Sequence, residues 1–152
     1  MENTEVDVLL VEDNMYDAEV TIRALRKTKV TIKIIHAKDG SEALAFLFGT
    51  GEYEHNNIVI KPSVILLDLN MPRLNGKEFL TMIKANDLTK RIPVVVLTSS
   101  EGDRDRCFSM GATNYIVKPV ETDSYTRTVI KLGLYWLVEN HITGSLHDPI
   151  LK

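Results

Sequence analysis

Acidic side chains follow two apolar runs of this sequence, where they could act as metal ligands or as a nucleophile. Asp68 closes the run Val64–Leu67, and Glu12-Asp13 follows the strand candidate Val6–Val11, which is apolar except for Asp7. A short apolar run bounded by turn residues is typical of a strand that is buried on both faces of a parallel sheet. Because open α/β sheets place ligands at the carboxyl ends of their strands, these acids are candidates for chemistry.

Two further strand ends add a hydroxyl group and a cation. Thr98 closes the run 92–98, and Lys118 follows the run 113–117. Three carboxylates at one sheet edge repel each other, and Mg²⁺, which prefers oxygen ligands and works with phosphate groups, offsets that repulsion. Lys118 supplies a point charge for a phosphate oxygen. Together these groups predict an aspartyl-phosphate site with Asp68 as the acceptor.

Each of these residues also has an ordinary structural explanation. Asp commonly forms turns, Thr favours strands, and a lysine is usually a solvated surface residue. The prediction of a reactive site therefore depends on the combination of these residues, because four of the five predicted strands end in groups that suit one reaction.

The scaffold is predicted from the alternation of strand and helix patterns. The stretch 49–62 is polar and is predicted to be a surface loop. Right-handed crossovers between parallel strands place helices on both faces of the sheet. We therefore predict a flavodoxin-like, doubly wound α/β fold with five parallel strands in the order 2-1-3-4-5. The predicted strands are 6–11, 31–37, 63–68, 92–98 and 113–117, and the five predicted helices are 15–28, 41–48, 75–86, 102–110 and 122–140.

Bulk composition limits the classes of function. A length of 152 residues suits one domain with a hydrophobic core. The net charge of −3 does not favour nucleic-acid binding. Cys107 is the single cysteine, so no internal disulfide can form. No apolar run reaches the roughly 18 residues of a membrane span, and the acidic N-terminus is unlike a signal peptide. We expect a cytoplasmic protein.

Four motifs carry a resemblance to a known family. They are Leu10-Val-Glu-Asp13, Asp68-Leu-Asn-Met-Pro-Arg-Leu-Asn-Gly76, Val96-Leu-Thr-Ser-Ser100 and Tyr115-Ile-Val-Lys-Pro119. With these motifs the chain resembles a response-regulator receiver domain, the phosphoacceptor of two-component signalling, over residues 5–140. The remaining residues 141–152 are expected to form an irregular C-terminal tail, with no output domain.

The resemblance implies how the acceptor site works. Asp68 would take a phosphoryl group from a phosphohistidine of a sensor histidine kinase. Glu12, Asp13 and Asp68 would hold Mg²⁺ (or Mn²⁺) together with the backbone carbonyl of Asn70. Such a protein is a phosphoacceptor signalling protein and not an enzyme, since it catalyses only its own phosphorylation and dephosphorylation.

The resemblance also implies roles for residues around the acceptor. Thr98 would be the switch hydroxyl and Tyr115 the switch aromatic, so that phosphorylation changes the face of helix four, strand five and helix five. Lys118 would grip the phosphate, and Lys118-Pro119 is expected to be a cis peptide. Asn70 and Ser100 fall at the positions that tune the phosphate lifetime.

The predicted fifth helix suggests a partner surface. Tyr125, Val129, Leu132 and Trp136 form an apolar stripe, and a second stripe begins at Ile130. Because Trp and Tyr are enriched at interface hot spots, we predict a homodimer. The alternative is that the C-terminal tail covers this helix. The long 49–62 connection and the Tyr-Trp-Leu of 135–137 look like stand-alone regulators that partner cyanobacterial phytochrome-type kinases.

Two other classes share parts of the pattern. A haloacid-dehalogenase-like phosphatase also uses an aspartate nucleophile with Mg²⁺, but its Asp-x-Asp normally begins the chain, whereas here Asn70 stands two residues after Asp68. A flavodoxin-like FMN-binding protein needs a Ser/Thr-rich phosphate loop after strand one. Glu12-Asp13 at that place would repel the FMN phosphate.

Overall fold

Strands and helices alternate through the part of the chain that the computed structural model describes, which is residues 6–26, 32–49, 62–69, 71, 75–98, 102 and 104–117. The strands are β1 (Val8–Val11), β2 (Ile34–Ala37), β3 (Val64–Asp68), β4 (Val94–Thr98) and β5 (Asn114–Val117). The helices are α1 (Met15–Arg26), α2 (Gly40–Phe48), α3 (Gly76–Ala85) and α4 (Arg104–Ser109).

The five strands form one parallel sheet in the order β2-β1-β3-β4-β5. The predicted strand order 2-1-3-4-5 and the flavodoxin-like fold are therefore confirmed. Four of the five predicted helices lie in the described residues. The predicted fifth helix, most of the loop 49–62 and the tail 141–152 lie outside them.

The three central strands are buried along their whole length. Every residue of β1, β3 and β4 is buried, as their continuous apolar sequences predict for strands covered on both faces. Alternate residues belong to two separate cores. Leu9 and Ile65 pack under α2, α3 and α4, whereas Leu10 and Leu66 pack under α1. Helices therefore cover both faces of the sheet.

Polar caps fix the starts of α1, α2 and α3 near the carboxyl edge of the sheet. The Asn14 side chain accepts the backbone N–H of Asp17 at 2.9 Å, which makes Asn14 the cap of α1. Asp39 accepts the backbone N–H of Glu42 at 2.8 Å at the start of α2. At α3, Asn75 and Glu78 form a reciprocal capping box.

Side chains also fix the chain where it enters β4. Lys84 Nζ donates to the backbone carbonyls of Lys90 and Ile92, both at 3.0 Å. Burial lowers the pKa of Lys84. The Thr89 hydroxyl donates to the carbonyl of Ile83 at 2.8 Å. These bonds tie the end of α3 to the strand that carries Thr98. Within the described residues, no helix is long and apolar enough to cross a lipid bilayer.

The capping box of α3 gives a stability prediction. Asn75→Ala removes the acceptor of the Glu78 N–H, and we expect the free energy of unfolding to fall by about 1 kcal/mol. Asn75→Asp keeps an acceptor of similar strength and is the matched control. Urea unfolding measures both variants. Equal losses for Ala and Asp would show that the cap does not stabilise the helix.

Candidate functional site at the carboxyl edge of the sheet

Strand register brings two of the acids side by side. Val11 of β1 pairs with Leu67 of β3, so the next residues along the two strands are Glu12 and Asp68. Leu10 and Leu66 face the core under α1, and by alternation Glu12 and Asp68 continue on that face. The sequence placed both acids at strand ends, and the register explains why they meet.

Three carboxylates converge at this edge. Glu12, Asp13 and Asp68 each offer an oxygen, and these oxygens all lie within 4.8 Å of one another. Glu12 is 0% exposed and Asp68 is 5% exposed, whereas Asp13 is exposed to solvent. Like charges at this spacing repel, and burial strengthens the effect. A set of carboxylate oxygens is the donor chemistry that Mg²⁺ and Mn²⁺ prefer.

Glu12 is held by its neighbours in the sheet and in the next turn. Its backbone N–H donates to the carbonyl of Ala37 at 3.0 Å, and its own carbonyl lies 2.7 Å from His36 Nε2. Its Oε2 accepts the backbone N–H of Asn14 at 3.3 Å. The strand end that carries this acid is therefore fixed from both β2 and the start of α1.

Gly76 packs directly against the backbone of Asp68 and Leu69. Its N–H donates to the carbonyl of Leu69 at 3.0 Å. A Cβ atom at Gly76 would overlap the carbonyl oxygen of Asp68 and would come to 2.5 Å from Leu69 Cα. Glycine is the residue that allows this approach of two backbone segments. The sequence contained Gly76 in the motif after Asp68, but its packing role appears only in three dimensions.

Thr98 and Tyr115 share one face of the sheet. Val96 pairs with Tyr115, and Thr98 pairs with Val117 at the same edge as the acids. Paired residues of parallel strands face the same side, and so do residues two apart in one strand. Thr98 is buried, and Tyr115 is partly buried against the core under α4. Lys118 follows Val117 directly in the chain.

Phe108 is a neighbour of Tyr115 that the sequence reading missed. The two rings are edge-to-face, with centroids 5.9 Å apart and planes at 89°. No sequence motif marked Phe108, which lies in the short helix α4.

Eight of the predicted site residues lie outside the described residues, so their roles stay predictions: Asn70, Ser100, Lys118, Pro119, Tyr125, Val129, Leu132 and Trp136.

The chain belongs to the response regulator receiver domain family, whose model matches residues 8–130. This confirms the resemblance that the four motifs indicated. Family membership also disfavours the phosphatase and the FMN-binding protein, since the matched region includes the acids, Thr98 and Lys118.

Two curated proteins of similar length are related to it. The probable methanogenesis regulatory protein FilR2 of Methanothrix harundinacea is 36% identical over 139 residues, which cover 90% of this chain and 87% of the relative. Response regulator Rcp1 of Synechocystis sp. is 36% identical over 132 residues, which cover 86% of this chain and 88% of the relative.

Solved structures of this group have the same fold. The Mn²⁺-bound form of Rcp1 superposes with a TM-score of 0.76 at 36% identity, covering 87% of this chain and 94% of the other. The phosphorylated cyanobacterial phytochrome response regulator RcpA superposes with a TM-score of 0.77 at 36% identity, covering 88% and 94%. The chain is thus a response-regulator receiver related to phytochrome response regulators.

The carboxylate cluster predicts an electrostatic effect on stability. Asp13→Asn removes one of three like charges, so in the presence of a chelator we expect the free energy of unfolding to rise by about 1 kcal/mol. Addition of millimolar Mg²⁺ should then raise the melting temperature of the wild-type protein more than that of the variant. Thermal unfolding with and without Mg²⁺ measures both effects.

Asp87→Asn is the matched control for this change. Asp87 is exposed and pairs with Lys90 at 2.9 Å, so its loss should change stability by at most about 0.5 kcal/mol and should leave the Mg²⁺ response intact. A wild-type melting temperature that does not respond to Mg²⁺ would contradict the metal assignment.

Proposed function

We propose that this chain is a response regulator that accepts a phosphoryl group on Asp68 from a phosphohistidine of a sensor histidine kinase. The observation that carries the proposal is the convergence of Glu12, Asp13 and Asp68 within 4.8 Å, in a chain that belongs to the receiver family. Residues 5–140 would form this receiver unit, and residues 141–152 a tail.

The reaction is a group transfer between two protein side chains. A carboxylate oxygen of Asp68 attacks phosphorus while the N–P bond of the phosphohistidine breaks, and the electron pair of that bond returns to the imidazole. Phosphoryl transfer needs little covalent help from the protein, so positioning and charge neutralisation account for most of the catalysis. Thr98 and Lys118 would supply a hydroxyl donor and a cation to the phosphoryl oxygens.

The acidic cluster suits a divalent cation. Glu12, Asp13 and Asp68 would hold Mg²⁺ or Mn²⁺, with the backbone carbonyl of Asn70 as a further ligand. When bound, the cation neutralises charge on the acids and on the phosphoryl group. The donor set supports this proposal, as does the Mn²⁺-bound form of the related Rcp1.

The surface beside the acids suits a protein donor. Met15 and Tyr16 are exposed in the first turn of α1, directly after Asp13-Asn14. They line a surface groove of about 550 Å³ that extends to His36 on β2. Exposed apolar side chains rimmed by polar groups are typical of partner surfaces. A kinase that docks here would bring its phosphohistidine to the acidic edge.

We further propose that the donor is a phytochrome-type kinase. The similarity to a cyanobacterial phytochrome response regulator supports this choice. FilR2 of Methanothrix harundinacea, with the same 36% identity, is described as a probable methanogenesis regulatory protein, which favours a different kind of kinase as the alternative donor. Phosphotransfer profiling with phytochrome-type and other histidine kinases identifies the donor, since the cognate kinase labels its regulator fastest.

Substitution of the acceptor tests the phosphorylation proposal. Asp68→Asn keeps the size of the side chain and removes the nucleophile, so labelling by acetyl phosphate with Mg²⁺ should fall to background. Asp87→Asn, an exposed aspartate in the turn after α3, should label like the wild-type protein. Intact-protein mass spectrometry measures the phosphoryl adduct, and base treatment should release it. Full labelling of the Asp68→Asn variant would overturn the assignment.

The dimer prediction is tested by sedimentation. We propose a homodimer through the face of α4, β5 and the predicted fifth helix, where Tyr125, Val129, Leu132 and Trp136 would supply apolar contacts. The wild-type protein should sediment as a dimer at micromolar concentration, and Trp136→Ala should shift it toward the monomer. A wild-type monomer both with and without a phosphate mimic would contradict the proposal.

A further inference from the structure

The contact between Tyr115 and Phe108 joins the switch position to α4. Phe108 is 40% exposed at the surface of α4, and Tyr115 is only partly buried. Their edge-to-face geometry, with 5.9 Å between centroids, is within the favourable range for aromatic pairs. A tyrosine ring that contacts a half-exposed phenylalanine lies at the rim of the domain.

A second position for the Tyr115 ring lies toward Thr98. Thr98 and Tyr115 lie on the same face of adjacent strands, in positions two residues apart in register. Thr98 is fully buried, so a ring turned toward it would leave solvent and would separate from Phe108. The rim position and the inward position therefore compete for one side chain.

We propose that Phe108 is a positioning residue, which holds Tyr115 at the rim and so opposes the inward turn toward Thr98 that the role of switch aromatic would require on phosphorylation. This inference rests on the proposed function of Asp68 and Thr98. Stabilisation of the rim position lowers the fraction of molecules competent for the phosphorylated state, and the apparent affinity for a phosphate mimic falls by the same factor. By linkage, phosphorylation must weaken the aromatic pair.

The consequence for the surface follows from the same geometry. When Tyr115 leaves, the part of the Phe108 ring that it covered becomes exposed on α4. The face formed by α4 and β5 then gains apolar surface in the phosphorylated form. Through Phe108, phosphorylation of Asp68 would thus change the apolar surface that the face of α4 and β5 offers to a partner.

A double-mutant cycle tests the inference on the full chain. Phe108→Leu keeps apolar bulk and removes the aromatic ring, so the dissociation constant for beryllofluoride with Mg²⁺ should fall by about 2- to 12-fold, the factor that corresponds to the usual strength of an aromatic pair. In a Tyr115→Ala background the same substitution should have no effect, because the ring that Phe108 holds is absent. Titration calorimetry measures all four proteins.

Two controls separate this role from a general effect on the fold. Met82 on α3 is 47% exposed, which is comparable to Phe108. Met82→Leu should leave the dissociation constant for beryllofluoride unchanged. NMR of ring-labelled tyrosine should show the Tyr115 signal of Phe108→Leu shifted toward its beryllofluoride-bound position before ligand is added.

The outcomes distinguish the inference from the proposed function. If the wild-type protein binds beryllofluoride and Phe108→Leu binds it equally or more weakly, Phe108 does not hold the rim position and the inference fails alone. An equal effect of Phe108→Leu with and without Tyr115 also overturns it. If the wild-type protein shows no Mg²⁺-dependent binding, the proposed function fails, and the inference fails with it.

Discussion

The concentration of negative charge at the end of the central strands is the main physical constraint on this structure. Glu12 and Asp68 are buried side by side, and Asp13 adds a third carboxylate within 4.8 Å. Left in water, such groups would separate. The parallel ladder between β1 and β3 prevents that separation, because its hydrogen bonds and the apolar side chains on both faces fix the register. Packing elsewhere in the domain thus sustains an electrostatically costly edge.

The surrounding backbone is built to keep this edge in place. Gly76 brings the start of α3 against the backbone of Asp68 and Leu69, at a distance that a side chain would prevent. On the other side, His36 and Ala37 of β2 contact the backbone of Glu12. The acids are therefore positioned by rigid elements on both sides, which is how a site reduces the reorganisation that a reaction would otherwise require.

The sequence predicted the sheet well because the relevant information is local. Alternation of apolar runs with amphipathic stretches identifies strands and helices, and the right-handed crossover rule then limits their order. The acids were predictable because each directly follows such a run. Gly76 packing and the Phe108 contact were not, since both depend on how closely the chain folds back between consecutive elements, which the pattern of apolar residues does not specify. Phe108 carried no signal, because an aromatic residue in a short polar helix is compatible with many environments.

Strand β4 is the physical link between the acids and the α4 surface. Asp68 pairs with Leu97, and the next residue, Thr98, begins the path toward Tyr115 on β5. Every residue of β4 is buried, so the strand has little freedom to absorb a displacement at its end. Tyr115, by contrast, is only partly buried and has a partner, Phe108, at the rim. In the proposed switch, the side chain that would move is therefore the one nearest solvent. A switch of this kind needs a rigid strand and one side chain with two packing positions.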